Sequence, residues 1–199
     1  MTKTKIIGEI ISLVLNPLLI LVPVPFFLVY EKTGSVTLSL VWTAVSVFFI
    51  LVYFLAILIG IRIGIFSDFD ISRREQRPLL FSIGMVLTLI YFAALFLFHA
   101  PGILIIGTIA IILGLIVLGV VNMFTKASAH MAVLSALLTS LLIAEGWKAL
   151  FGILLLPLLA WARIKTRNHT LLQTALGTLL GVATILALYV IFKYIIKYG

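Results

Sequence analysis

The sequence predicts an all-α, polytopic transmembrane helix bundle of six or seven spans. Three observations carry that expectation. Of 199 residues, 64% are hydrophobic and only 10% charged, where soluble domains run at about half apolar and about a quarter charged. The apolar residues come in blocks near the length of helix that crosses a hydrocarbon core of ~30 Å. The breaks between blocks are short clusters of charge, Gly and Pro. Together these exclude an ordinary soluble fold, a disordered chain and a nucleic-acid-binding module, so no nucleic-acid partner is expected. The chain has no cysteine, which removes disulfides and thiolate chemistry. The first apolar stretch is too long for a signal-peptide core and lacks a small-residue cleavage pattern. Residues 1–199 read as one integral membrane domain, placed in the cell membrane.

The elements follow in order. A first span, about Ile6 to Tyr30, contains Asn16, Pro17, Pro23 and Pro25 and is expected to kink. A second, Val36 to Phe66, is long enough to tilt or protrude. Then comes the most polar stretch, Ser67 to Pro78, with Asp68, Asp70 and Glu75. The third span is Leu79 to Phe98, the turn His99-Ala100-Pro101-Gly102 follows, and the fourth is Ile103 to Met123. A second polar patch is Thr125 to His130. Spans five (Met131 to Ala144) and six (Ala149 to Trp161, with Pro157) are short, and the third patch is Arg163 to His169. The last span is Thr170 to Ile196, with Asn168 as its expected N-cap. Tyr30, Trp147, Trp161 and Tyr194 lie at span ends, as in an aromatic belt.

Two spans separate the first patch from the second, and two more separate the second from the third. An even number of crossings returns the chain to the same face. The count therefore expects all three patches on one side, bringing together Arg74, Arg77, Lys126, Ser128, His130, Arg163 and His169. Arginine forks suit phosphate oxygens, and histidine serves as acid, base or nucleophile. Helix N-termini favour an anion. Ten basic residues fall on that face (Lys3, Lys5, Arg62, Arg73, Arg74, Arg77, Lys126, Arg163, Lys165, Arg167) and four on the other (Lys32, Lys148, Lys193, Lys197). Read as a topology signal, this turns the patches to the cytoplasm.

These residues resemble the type-2 phosphatidic acid phosphatase (PAP2) superfamily, whose three motifs are Lys, six residues, Arg-Pro; Pro-Ser-Gly-His; and Ser-Arg, five residues, His, three residues, Asp. The third is matched by Ala162-Arg163, five residues, His169, three residues, Gln173. The second is matched by Ala127-Ser128-Ala129-His130, and the first by Arg77-Pro78, with Asp70 at the Lys position. The resemblance implies a PAP2-like core over residues 67–173. It implies a metal-independent phosphatase acting through a phosphohistidine, with no cofactor. His169 would be the nucleophile and His130 the general acid. Arg77, Arg163 and Ser128 would hold phosphate, with Arg73, Arg74 or Lys126 standing in for the Lys. Gln173 would orient His169, or Asp70 would supply the absent carboxylate.

The partners so implied are membrane lipids and a lipid substrate, either a polyprenyl diphosphate or a phosphatidate-type phosphomonoester. The alternative is a non-catalytic, anion-binding membrane protein on the same scaffold, which Gln173 and Asp70 favour. Family members commonly place the site outside the cell, against the topology count. Arg73 and Lys165 read as topology signals, and His99 as a solvated turn residue. Asp68 and Asp70 lack the second acidic cluster a metal-bridged diphosphate needs. Gly60, Gly64, Gly114, Gly119, Gly177 and Gly181 read as sites of close helix packing.

Overall fold

A computed structural model describes the backbone of residues 3–198 and the side chains of residues 3–194, and every regular element among them is helical. In chain order these are α1 (Lys3–Val14), α2 (Pro17–Leu21), α3 (Val24–Thr33), α4 (Val36–Arg62), a 3₁₀ turn (Arg74–Gln76), α5 (Arg77–Leu97), α6 (Gly102–Phe124), α7 (Ala129–Glu145), a 3₁₀ arm (Gly146–Leu154), α8 (Leu155–Lys165) and α9 (Leu171–Tyr198). Six segments among the described residues are long and apolar enough to cross a membrane: Lys3–Leu21, Val36–Arg62, Arg74–Leu97, Gly102–Phe124, Ala129–Lys165 and Leu171–Tyr194. The chain is an all-helical membrane protein. It divides into two compact units, Met1–Pro17 with Phe124–Gly199, and Leu18–Met123.

In the Leu18–Met123 unit, α3 and α4 form a hairpin. Gly34, at φ 65°, closes α3 by donating its N–H to the Tyr30 carbonyl, a conformation that costs glycine least. Ser35 caps α4 by accepting the Leu38 N–H. Val29, Trp42, Tyr91, Leu95 and Leu104 pack as one buried cluster. Ser46 and Tyr91 share a buried hydrogen bond of 2.7 Å, which ties α4 to α5. At 27 residues, α4 is ~40 Å long, enough to require tilt. It stops at Arg62, short of the expected Phe66, because the chain turns at Gly64 (φ 79°) and the Ile65 and Phe66 N–H groups return to the Gly60 carbonyl. The Phe66 ring then lies over Gly60, where a Cβ would collide with it.

In the other unit, Ala129–Lys165 is not one rod. A 37-residue helix would be ~55 Å long, yet Lys126 before it and Asn168 after it are joined by a 2.8 Å hydrogen bond. The chain reverses at Gly146 (φ 62°, ψ −138°), and Gly152 comes back against Leu138. One arm is α7, ~26 Å long; the other is the 3₁₀ arm plus α8, ~34 Å. Each approaches the thickness of a hydrocarbon core, which accounts for the two short spans the sequence predicts here. α9 packs along α7 through Gly177 and Gly181. A Cβ on either would strike backbone carbonyls, of Ser128 and Ala132 respectively. Gly114 and Gly119 meet nothing within 4 Å, so these two do not serve close packing. Gly64 likewise serves its turn. α1 packs on α8, with Gly8 against Ala162 and Thr166.

The first expected span is broken twice. Pro17 has no N–H and disfavours helix at Asn16, so α1 ends in a tightened turn with Asn16 N–H on the Leu13 carbonyl. Pro23 and Pro25 then open α3.

Candidate functional site

Three chain segments of the Phe124–Gly199 part meet at one end of their unit: the start of α7, the end of α8 and the start of α9. Their meeting is fixed by backbone chemistry. The Ser128 N–H donates to the Gln173 carbonyl at 3.1 Å, and the Asn168 and His169 N–H groups both donate to the Arg163 carbonyl at 3.2 Å. The last pair gives the Arg163-to-His169 spacing a physical reason. Five intervening residues form a loop that turns through Arg167, at φ 59°, and closes on the carbonyl of the arginine itself. Lys126 fastens the loop from outside, its Nζ donating to the Asn168 carbonyl.

His169 is 7% exposed, and its Nδ1 lies 3.2 Å from Gln173 Oε1. The same oxygen accepts the Thr170 N–H at 3.2 Å, while Thr170 Oγ1 accepts the Gln173 N–H at 3.3 Å. This reciprocal pair is a capping box, and it makes Thr170, rather than the expected Asn168, the N-cap of α9. It also fixes the amide: an atom accepting a backbone N–H is the oxygen, and an oxygen beside Nδ1 requires the hydrogen on Nδ1. In the neutral ring the lone pair then falls on Nε2.

His130, 8% exposed, sits in the first turn of α7. Ser128, fully buried, caps that helix by accepting the Met131 N–H, which uses the hydroxyl as an acceptor. Arg163 is 1% exposed, the largest fully buried side chain in the protein's described part, at the end of α8, where a cation is favoured by the helix dipole. Sequence reasoning passed over Asn16 as a kink residue. It is buried, and its Nδ2 lies 3.4 Å from His130 Nε2. The readable signal was the spacing Gly8, Ser12, Asn16, one residue per turn, which marks the buried face of α1.

Asp70, Arg74 and Arg77 lie in the other unit. Arg77, at the start of α5, is buried; its Nε donates to the Ile71 carbonyl at 3.2 Å and its Nη1 to Asn122 Oδ1 at 2.8 Å. Asn122 Nδ2 donates to the Leu118 carbonyl, so the amide oxygen is the atom turned to the arginine. Ile71 is buried at φ 47°, an unfavourable place for a β-branched residue, and Arg77 holds it there. Arg74 is exposed, with Nη2 on the Met123 carbonyl. Asp70 is half-buried in the same loop; the partner of His169 Nδ1 is Gln173. Asp68 organises the loop by accepting from the Ser67 hydroxyl and from the Ser72 N–H and hydroxyl. Burial pushes its carboxyl up, but these bonds and one from the Asp70 N–H outweigh that and hold it below its ordinary value. His99 lies exposed in a turn. Among the described residues no three His, Asp or Glu side chains gather as metal ligands would.

Comparison with family models, curated proteins and solved structures gave no match.

Proposed function

We propose that the chain is a divergent PAP2-type phosphatase of the cell membrane, hydrolysing a phosphomonoester or diphosphate carried by a lipid. The observation that supports the reading is that the segments carrying the buried His169, His130, Ser128 and Arg163 meet where α7, α8 and α9 come together, with Gln173 Oε1 beside His169 Nδ1, so that the neutral ring carries its lone pair on Nε2. His169 Nε2 attacks phosphorus, and a phosphohistidine forms as the leaving oxygen departs. His130 gives that oxygen a proton, then takes one from the water that attacks the phosphohistidine. Arg163 and the Ser128 hydroxyl stabilise the equatorial oxygens, where phosphoryl transfer gathers its charge. Arg77, Arg74 and Lys126 enter as phosphate ligands by resemblance.

A membrane location suits a substrate whose tail stays in lipid while its phosphate reaches a polar end of the protein. The test is phosphate release from phosphatidate and from a polyprenyl diphosphate by the detergent-solubilised protein, without added metal. Activity is expected to fall at least a hundredfold in His169→Ala and His130→Ala, the scale of general acid–base catalysis being about 10²–10⁴. Unchanged activity in both variants refutes the assignment. Tight binding of a phosphate analogue with no turnover favours the anion-binding alternative, which the uncharged partner of His169 supports.

A further inference from the structure

We infer that Arg167, in the loop between α8 and α9, is a specificity-determining residue for diphosphate substrates. Its guanidinium receives the phosphoryl group that stays with the lipid, while His169 takes the terminal one. The inference rests on the phosphatase reading and names the substrate class within it.

The backbone at this position is unusual for an arginine. α8 closes with the Arg167 N–H on the Ile164 carbonyl at 3.0 Å and the Asn168 N–H on the Arg163 carbonyl at 3.2 Å. This pair of bonds is a Schellman motif, in which the residue after the C-cap takes the left-handed conformation, most often as glycine. Two other helices close in the same way. α4 uses Gly64, with the Gly64 and Ile65 N–H groups on the Ile61 and Gly60 carbonyls; α5 uses His99, with the His99 and Ala100 N–H groups on the Phe96 and Leu95 carbonyls. Glycine meets no Cβ penalty there, and histidine is enriched in that region. α8 puts an arginine there, at φ 59°. The fold asks this position for a backbone that glycine supplies best, so the side chain needs a reason of its own. Topology is not that reason: a loop cation orients a span from any nearby position, and Lys165 stands two residues away.

No acid of the protein claims the side chain either. Arg167 is exposed, and its guanidinium makes no hydrogen bond or ion pair with another described residue. Its unit has two acids, Glu9 and Glu145. Glu9 pairs with Lys5, and Glu145 ends α7, ~26 Å from the end of that helix where His130 lies. The guanidinium is therefore open to an anion from outside the chain, and its place says which. Arg167 and His169 are two residues apart, so their Cα atoms lie within about 7.6 Å; one residue is exposed and the other buried. A diphosphate whose terminal phosphoryl group reaches His169 holds its second group on the way out, where the planar fork of an arginine suits the oxygens. A phosphatidate-type monoester has no second phosphoryl group to offer. As the bond from His169 Nε2 to the terminal phosphorus forms, the bridging phosphorus–oxygen bond breaks. Its electron pair stays on the departing lipid monophosphate, and the guanidinium offsets that charge.

The test uses the full chain in a nonionic detergent without added metal. Initial phosphate release is followed from a polyprenyl diphosphate and from the monophosphate of the same polyprenol, and the readout is the ratio of the two kcat/KM values. Arg167→Gly and Arg167→Gln lower the diphosphate-to-monophosphate ratio about fivefold, the upper end for an exposed charged contact, and Arg167→Lys keeps part of it. Lys165→Gln leaves the ratio within about twofold. The thermal midpoint of Arg167→Gly holds or rises, because glycine is at ease at this φ. A ratio unchanged in both Arg167→Gly and Arg167→Gln overturns the inference. An equal loss in Lys165→Gln overturns it too, by assigning the effect to loop charge in general, and a lowered midpoint in Arg167→Gly does so by giving the arginine a structural role. Repeating the assay with phosphatidylglycerol in the micelles separates the phosphate of the substrate from that of a neighbouring lipid: a loss seen only with that lipid present overturns the assignment to substrate. Wild-type protein that acts on the monophosphate and not on the diphosphate overturns this inference and leaves the phosphatase reading in place, whereas release from neither overturns both.

Discussion

Replacing Gln173 separates its two jobs. Oε1 accepts one hydrogen bond from the Thr170 N–H and one from His169 Nδ1, each 3.2 Å long. Gln173→Leu removes both. The lost cap costs about 1 kcal/mol of stability. The lost ring contact, a neutral bond of about 1 kcal/mol, lowers the rate about five- to tenfold, because His169 no longer keeps its hydrogen on Nδ1. Gln173→Glu keeps both acceptors and adds a charge at the same distance from Nδ1. An opposite charge that close raises the proton affinity of a histidine by about one to three pH units. On the proposed mechanism His169 attacks only with Nε2 unprotonated, so the acid limb of kcat/KM moves to higher pH by that amount, and above the limb the rate exceeds wild type. Glutamate at this position also favours the start of α9, so the thermal midpoint rises. The assay is phosphate release by solubilised protein across about pH 5 to 9, with thermal unfolding alongside. An unmoved acid limb in Gln173→Glu, together with a wild-type rate in Gln173→Leu, refutes the role assigned to this residue.

Other outcomes follow from the same geometry. Gly177→Ala and Gly181→Ala, whose new methyl groups meet backbone carbonyls, destabilise by about 1–3 kcal/mol, whereas Gly114→Ala, with open space around it, stays within about 0.5 kcal/mol; thermal unfolding in detergent distinguishes them. Arg77→Leu leaves the Ile71 carbonyl and Asn122 Oδ1 without their donor, at about 1–3 kcal/mol for each buried group, and limited proteolysis after Arg73 quickens. Asp68 titrates below its ordinary value, so its contribution to the loop is full at neutral pH and fades as the pH falls through the acid range. Hydrogen exchange at the Ser72 N–H shows that dependence, and Asp68→Asn loses it.

The helical membrane class was legible because hydrophobic blocks near twenty residues long have few other uses. The turn at Gly146 was legible too, since Glu145-Gly146-Trp147-Lys148 puts charge between two apolar runs. Its 3₁₀ arm was not: nothing in Trp147 to Leu154 distinguishes 3₁₀ from α, nor foretells that Gly152 comes to lie against Leu138. The motif residues around His130 and His169 could be named from spacing. The capping box could have been, since Thr170-x-x-Gln173 is its signature, but Asn168 drew attention as the nearer polar residue. Asn16 was hidden because the partner that gives it meaning is far along the chain, and sequence periodicity reveals a buried face without revealing what it faces.

The chain has five side-chain amides, and three of them meet a buried histidine or arginine: Asn16 at His130, Gln173 at His169 and Asn122 at Arg77. Carboxylates do this work in most polar sites. Here the membrane shifts the balance. Withdrawing a carboxylate from water costs several kcal/mol even when it is paired, and charge within a span is expensive. An amide gives the same directional acceptor with no charge to desolvate. At two of the three sites its orientation is fixed by a second bond, from the Thr170 N–H to Gln173 and from Asn122 to the Leu118 carbonyl. Six acids in 199 residues fit that economy: in each unit a buried histidine or arginine is met by a neutral dipole. Arg77 is proposed as a phosphate ligand, and a carboxylate installed at position 122 competes with phosphate for it. Asn122→Asp should then raise the concentration of inorganic phosphate needed for half-inhibition of phosphate release if Arg77 is a phosphate ligand. An unchanged value would confine Arg77 to holding the Ile71 loop.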